Sequence, residues 1–283
     1  MRAIDVHLHM QPWASFAPRI REAMGQTPAE AARIDGFAAD PAGFAAWLDG
    51  EGFDRVLVVN YPAPEVMGFG MELNDWAHAF RAAAPERFWI AGGVDLRRHP
   101  DPDAAIARLL DEQRVDAVKV HPPHQGHAAN AYLDGLDGLA RLYAACQDRG
   151  VPVIVHTGTS VFPGARGKFG DPMACDDVAV DFPALRLLLA HAGRPLWMET
   201  CVHLVRRHPN VHLDVSGIPP SRLPRYLPGL ERIADKALFG TDWPSPGITS
   251  PRANLERFLE LPMSEEARAR ILRTNALALF GRR

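Results

Sequence analysis

Short apolar, β-branched runs recur along the chain, and each closes on polar residues or on Gly and Pro. Eight of them fall at 3–7, 55–61, 88–95, 115–121, 151–156, 185–191, 211–216 and 237–242. They are strand-length. Between most of them the apolar positions recur every three or four residues, as amphipathic helices require. "AGFAAWLDGEG", "ELNDWAHAFRAAAPE", "DAAIARLLDEQ" and "LDGLARLYAACQDRG" are examples, the last closed by Gly150 as a C-cap. The tail "SEEARARILRTNALALFG" predicts a final helix with Ser264 as N-cap and Gly281 just past its end. Strands that alternate with helices pair in parallel through right-handed crossovers. Eight such units predict a single-domain (β/α)8 TIM barrel over 1–283, close to the ~250 residues usual for that fold. A doubly wound sheet is the rival. It would need a Gly-rich phosphate turn after an early strand, and "HMQPW" is not one.

Two connections break the rhythm. Residues 10–40 and 157–175 read as extended loops, the second rich in Gly and Pro and carrying Arg166 and Lys168. In a barrel, the segments that follow strands build the active-site face. These two cations are therefore candidate substrate contacts, although charged loop residues are often merely solvated.

The polar residues that end the strands change the picture further. Strand one ends in His7 and His9, strand four in Lys119 and His121, strand five in His156, strand six in His191 and strand eight in Asp242. On a strand, i and i+2 share a face, so His7 and His9 look into one space, with Asp5 expected one step deeper. A lone strand-end histidine is more often a hydrogen-bonded structural residue. Five histidines at strand ends, joined by an aspartate and converging on one barrel mouth, offer the donors that zinc, manganese or iron accept. Asp5 is either a buried structural acid or the acceptor that fixes a histidine tautomer. His124 and His127 in "HPPHQGH" are expected on a surface loop.

Composition narrows the class. The chain has 283 residues, 47% hydrophobic and 23% charged, as ordinary globular proteins do. A net charge of −3 and a pI near 6.5 give no basic footprint for nucleic acid. No apolar run approaches the ~20 residues of a membrane span, and no secretory signal is evident, so a cytoplasmic location is expected. Cys146, Cys175 and Cys201 are widely spaced, which predicts free thiols and no disulfide framework. The partner implied is a small anionic substrate; a homo-oligomer is compatible with all of this.

HxH on strand one, "VIVHTG" on strand five, "LAHAG" on strand six and "FGTDWP" on strand eight resemble the amidohydrolase superfamily, most closely its amidohydrolase-2 branch of decarboxylases, lactonases and metal-dependent hydrolases. The likeness extends to "HPNVHLDVSG" and "NALALF", in the right order along the chain. It implies that His7, His9, His156 and Asp242 hold one divalent metal, usually zinc, and that His191 is an acid/base or substrate-polarising residue. "AVKVHPP" resembles the strand-four lysine of binuclear members, where a carboxylated lysine bridges two metals. On that view Lys119 and His191 serve a second ion; otherwise Lys119 stays a cation that grips a substrate carboxylate.

Three imidazoles and a carboxylate leave a catalytic metal an open position for water, whose pKa falls to ~7. Asp242 is then the proton shuttle, stiffened by Trp243-Pro244, and Trp243 and His121 join Arg166 and Lys168 as candidate substrate contacts. A metal-dependent hydrolase of an ester, lactone or amide is the leading expectation, because Lys119 and the cationic loop after strand five match hydrolytic members better. A metal-dependent nonoxidative decarboxylase is the alternative, with a protonated Asp242 or His191 delivering a proton to carbon. A non-catalytic metal scaffold would close the coordination sphere with a further ligand such as Cys, and none sits at a strand end.

Overall fold

The computed structural model describes residues 2–281. It is a TIM barrel of eight parallel strands: β1 (Ala3–Leu8), β2 (Phe53–Val59), β3 (Phe88–Gly92), β4 (Ala117–Val120), β5 (Val153–His156), β6 (Leu187–Ala190), β7 (Val211–Asp214) and β8 (Ala237–Leu238). Each pairs with the next in chain order. The seam between the last and first strands is joined by backbone hydrogen bonds from Val6 N–H to the Phe239 carbonyl (3.0 Å) and from Asp242 N–H to the His7 carbonyl (2.7 Å). Among the described residues no helix is long and apolar enough to cross a membrane.

Alternation along the strands sorts the apolar residues into two layers. Ile4, Val6, Leu57, Val59, Ala91, Ala117, Ile154, Leu188 and Leu238 fill the barrel interior. Leu279 and Phe280 of the C-terminal helix Asn275–Phe280 join that cluster. Val56, Val58, Val118, Val153 and Leu187 face the surrounding helices. Continuing the inner register past Ala117 and Ile154 places Lys119 and His156 over this apolar plug.

β1 departs from simple alternation. Asp5 pairs with Val56, yet Leu8 pairs with Val58, so β1 holds one extra residue there. Such a bulge re-aims the side chains beyond it. Asp5 therefore lies with the outer-facing Val56, and not beneath the histidines. Its carboxylate accepts from the backbone N–H of His7 and Thr241 (both 3.0 Å) and from the Thr241 hydroxyl (2.6 Å). It stitches β1 to the segment after β8.

The expected helices are present. Gly150 caps Asp137–Arg149 with φ 62°, and Ser264 accepts from the Ala267 N–H at 3.3 Å. Residues 10–40 are less loop-like than their sequence suggests. They contain helices Pro18–Met24 and Pro28–Ala39, the second opened by a reciprocal Thr27–Glu30 capping box. Each helix begins on a proline, which is tolerated in a first turn. The expected eighth run at 237–242 shortens to two strand residues, and Asp242 takes a positive φ beyond its end.

Candidate metal centre and substrate cavity

The strand ends gather at one mouth. Asp242 takes a φ of 67° and His191 a φ of 66°, left-handed values that non-glycine residues adopt rarely and at a cost. Gly240 permits the convergence, since a Cβ there would sit 2.7 Å from the His7 Cβ and 2.9 Å from an Asp214 oxygen.

Hydrogen bonds fix the polarity of three imidazoles. His7 Nδ1 donates to Asp214 Oδ2 (2.5 Å), which also receives the Ser216 hydroxyl (2.9 Å). His9 Nδ1 donates to the Val59 carbonyl (2.8 Å), and His191 Nδ1 to the Ser216 carbonyl (3.1 Å). Each neutral ring is left with an Nε2 lone pair. Nε2 of His9 lies 3.2 Å and Nε2 of His7 3.8 Å from Asp242 Oδ1. Lone pairs against a carboxylate call for positive charge between them, either an extra proton or a cation. A divalent ion satisfies all three at once, and histidines whose far nitrogens are tied to acceptors are the usual ligands of one. Ligand atoms of His7, His9 and Asp242 lie within 4.8 Å of one another, the one such group among the described residues. His156 is buried at the same mouth with both ring nitrogens unpartnered, a costly state that a ligand would relieve. Its ring centroid is 4.7 Å from that of His191, which is 4.7 Å from that of His7. The donor set fits a divalent metal.

Burial lowers the pKa values of His7, His156 and His191, which keeps them neutral. Burial likewise lowers that of Lys119, whose Nζ is 3.4 Å from His7 Nε2. For Asp242, burial acts to raise the pKa, but its neighbours outweigh it, the Arg194 guanidinium being the permanent positive charge among them, and hold the carboxyl below its usual range. Arg194 Nη2 is 3.5 Å from Asp242 Oδ2, and its Nε donates to the Gly217 carbonyl at 2.7 Å.

All of these groups except His7 line a cavity of about 450 Å³. Its floor holds His9, Lys119, His121, His156, His191 and Asp242; its walls come from residues 159–162, 217–220 and 245–257. His121 is sandwiched between His124 and His156, with centroids 3.6 and 3.9 Å apart.

Three expected substrate contacts lie elsewhere. Arg166 and Lys168 are exposed and do not line the cavity; Lys168 sits over the Phe169 ring and borders a separate shallow groove. Trp243 is 2% exposed and packs on Trp47 and Phe44, while its carbonyl accepts the His9 N–H at 2.8 Å. It positions strand one from behind. His124 and His127 are buried, against the expectation of a surface loop, because the turn Pro122–Gln125 folds inward over the barrel mouth.

Two residues escaped the sequence reading. Asp214 ends β7 within "VHLDVSG", a strand-end carboxylate like Asp242, and that position was its signal. Arg194 follows "HAG" and had no signal beyond its closeness to His191.

A TIM barrel with a histidine–carboxylate centre at the C-terminal ends of its strands is the class these features define. The amidohydrolase-2 family model (amidohydrolase) matches residues 4–282, and the chain belongs to that family of enzymes. No curated protein matches it. Among solved structures it is similar to an uncharacterised TIM-barrel protein from Bordetella bronchiseptica, at 23% identity over all of both chains with a TM-score of 0.77. A dihydroxybenzoic acid decarboxylase from Polaromonas, with bound manganese and 2-nitroresorcinol, shares 18% identity over 99% of this chain and 97% of its own, with a TM-score of 0.70. A probable 2-pyrone-4,6-dicarboxylic acid hydrolase from Acinetobacter baumannii shares 16% over 99% and 100%, with a TM-score of 0.65. Likeness at these identities establishes the shared barrel.

Proposed function

We propose that this amidohydrolase hydrolyses an ester, lactone or amide bond of a small carboxylate-bearing substrate and depends on one divalent metal. His7, His9, His156 and Asp242 would hold the ion. Imidazole and carboxylate donors suit zinc, and manganese accepts the same set. When bound, such an ion supplies Lewis-acid charge that polarises a carbonyl oxygen.

The observation that carries the proposal is the setting of Asp242. Its oxygens face His9 Nε2 at 3.2 Å and Arg194 Nη2 at 3.5 Å. The Arg194 guanidinium keeps it ionised, and an ion held by the facing imidazoles would do the same, which leaves it able to accept a proton. It takes that proton from the attacking water and returns it to the leaving oxygen or nitrogen. His191, fixed by Ser216, offers its free Nε2 to the reacting group. Lys119 and Arg194 hold the substrate carboxylate.

Decarboxylation is the rival, as the Polaromonas enzyme illustrates on the same fold. It needs a proton donor at Asp242 or His191, and the surroundings of both favour the unprotonated form. The test is metal analysis followed by a screen of carboxylated lactones, amides and aromatic acids, with acid release and carbon dioxide followed separately. Acid release without carbon dioxide is expected. Metal-dependent carbon dioxide evolution from an aromatic acid would replace this proposal with its rival.

A further inference from the structure

One buried chain at the cavity wall belongs to neither the metal centre nor the proton shuttle. The Tyr61 hydroxyl lies 3.0 Å from His124 Nδ1, and His124 Nε2 lies 2.7 Å from Ser160 Oγ. Ser160 also accepts the Phe162 backbone N–H at 3.3 Å. Tyr61 and Ser160 both line the cavity. Serine, histidine and a third group in a row suggest a nucleophile with its base. The surroundings argue otherwise. His124 is 4% exposed, burial lowers its pKa to about 3, and its far partner is a neutral phenol. Nothing there stabilises an imidazolium.

Counting protons gives the chain a direction. Neutral His124 carries one N–H. With that proton on Nδ1, the ring donates to Tyr61, and the buried phenol proton has no acceptor among the described residues. Leaving a buried donor unmade is costly. With the proton on Nε2, Tyr61 donates to Nδ1, Nε2–H donates to Ser160 Oγ, and Phe162 N–H donates to the same oxygen. Every proton is then used except that of the Ser160 hydroxyl, which remains to donate to the cavity.

We propose that Ser160 is a substrate-binding donor of fixed polarity, set by the Tyr61–His124–Ser160 chain, and that it recognises an acceptor oxygen, a carboxylate or carbonyl, on the substrate. His124 and Tyr61 are positioning residues. The proposed hydrolase activity supplies the substrate's class, so the inference rests on that reading for what is bound; the direction of the chain does not depend on it.

The test uses the zinc-loaded protein with 15N-labelled histidine, the His124 signal being assigned by its loss in His124→Gln. Nitrogen shifts should show the Nε2–H tautomer. Tyr61→Phe removes the donor to Nδ1 and should mix or reverse the tautomers. Benzoate, a carboxylate probe, should shift the His124 nitrogens in the wild type and in Ser160→Thr, which keeps a hydroxyl. Ser160→Ala should abolish that shift and weaken benzoate binding about tenfold to a hundredfold, the scale of one hydrogen bond to a charged group. An Nδ1–H tautomer overturns the polarity. No response to benzoate in the wild type, or equal responses and affinities in wild type and Ser160→Ala, overturns the recognition role. None of these readouts needs turnover, so loss of the hydrolase reading would leave them standing.

Discussion

The barrel mouth has two histidine-rich halves that differ in their company. On the side of β6, β7, β8 and β1, His7, His9 and His191 each tie Nδ1 to an oxygen acceptor, and Asp242 and Asp214 lie among them. On the β4–β5 side, His124, His121 and His156 stack face to face with no carboxylate against them. The same side chain does opposite work in the two places. Beside carboxylates, oriented lone pairs make a seat for a cation. In a buried stack of rings, imidazoles stay neutral and serve as a polar wall. His156 stands at the boundary, its free nitrogens available to the first half and its ring packed on the second.

The largest effect that would break this contrast is loss of metal. His7→Ala combined with His9→Ala should abolish binding of zinc or manganese, whereas His124→Gln should keep it, both measured by elemental analysis on purified folded protein. Full occupancy in the double variant would place the ion elsewhere.

Next comes the proton. Asp242→Asn keeps an oxygen for a metal but cannot accept a proton at neutral pH. It should retain much of the metal and lose ~10²–10⁴-fold in kcat, the usual scale of general acid–base catalysis. Metal and turnover are measured on one preparation. A loss of activity only in proportion to lost metal would make Asp242 a ligand and leave the proton to His191.

A smaller effect sharpens the first half alone. Asp214 orients His7 without reaching the cavity, so Asp214→Asn should weaken metal affinity about 10–100-fold, as such supporting carboxylates do. Competition with a chelator reads this directly. An unchanged affinity would reduce Asp214 to a buried structural acid.

How much of this was legible in the sequence follows from the same physics. Strand–helix alternation and strand-end chemistry are local, and they predicted the barrel, the shared direction of His7 and His9, and the arrival of His121, His156, His191 and Asp242 at one mouth. Asp5 was misplaced because a one-residue bulge in β1 is invisible to a period-two pattern. His124 looked like a surface residue because two prolines and a glycine read as a loop, and whether a loop folds inward is decided by what it meets. Arg194 was missed for the same reason: its partner Asp242 is 48 residues away, and only the closing of the barrel brings them together. Arg166 and Lys168 were chosen for their charge on a loop that follows a strand, and neither feature says which way the side chains face.

That loop gives the smallest expected effect. Arg166 is exposed, its backbone N–H is spent on the Pro123 carbonyl at 2.9 Å, and the cations that line the cavity are Lys119, Arg194 and Arg257. Removing an exposed charge outside the cavity should change binding by roughly 0.5 kcal/mol or less, about twofold in KM. Arg194→Ala removes a guanidinium from the cavity itself and should raise KM about tenfold or more while leaving metal content nearly intact. Both variants are assayed on one carboxylate substrate at one salt concentration, with metal measured alongside. A tenfold rise in KM for Arg166→Ala would mean that residues 157–175 close over the cavity when substrate binds. The wall built from Ser160 and Phe162 would then move with them, and the neutral half of the mouth would be part of a lid.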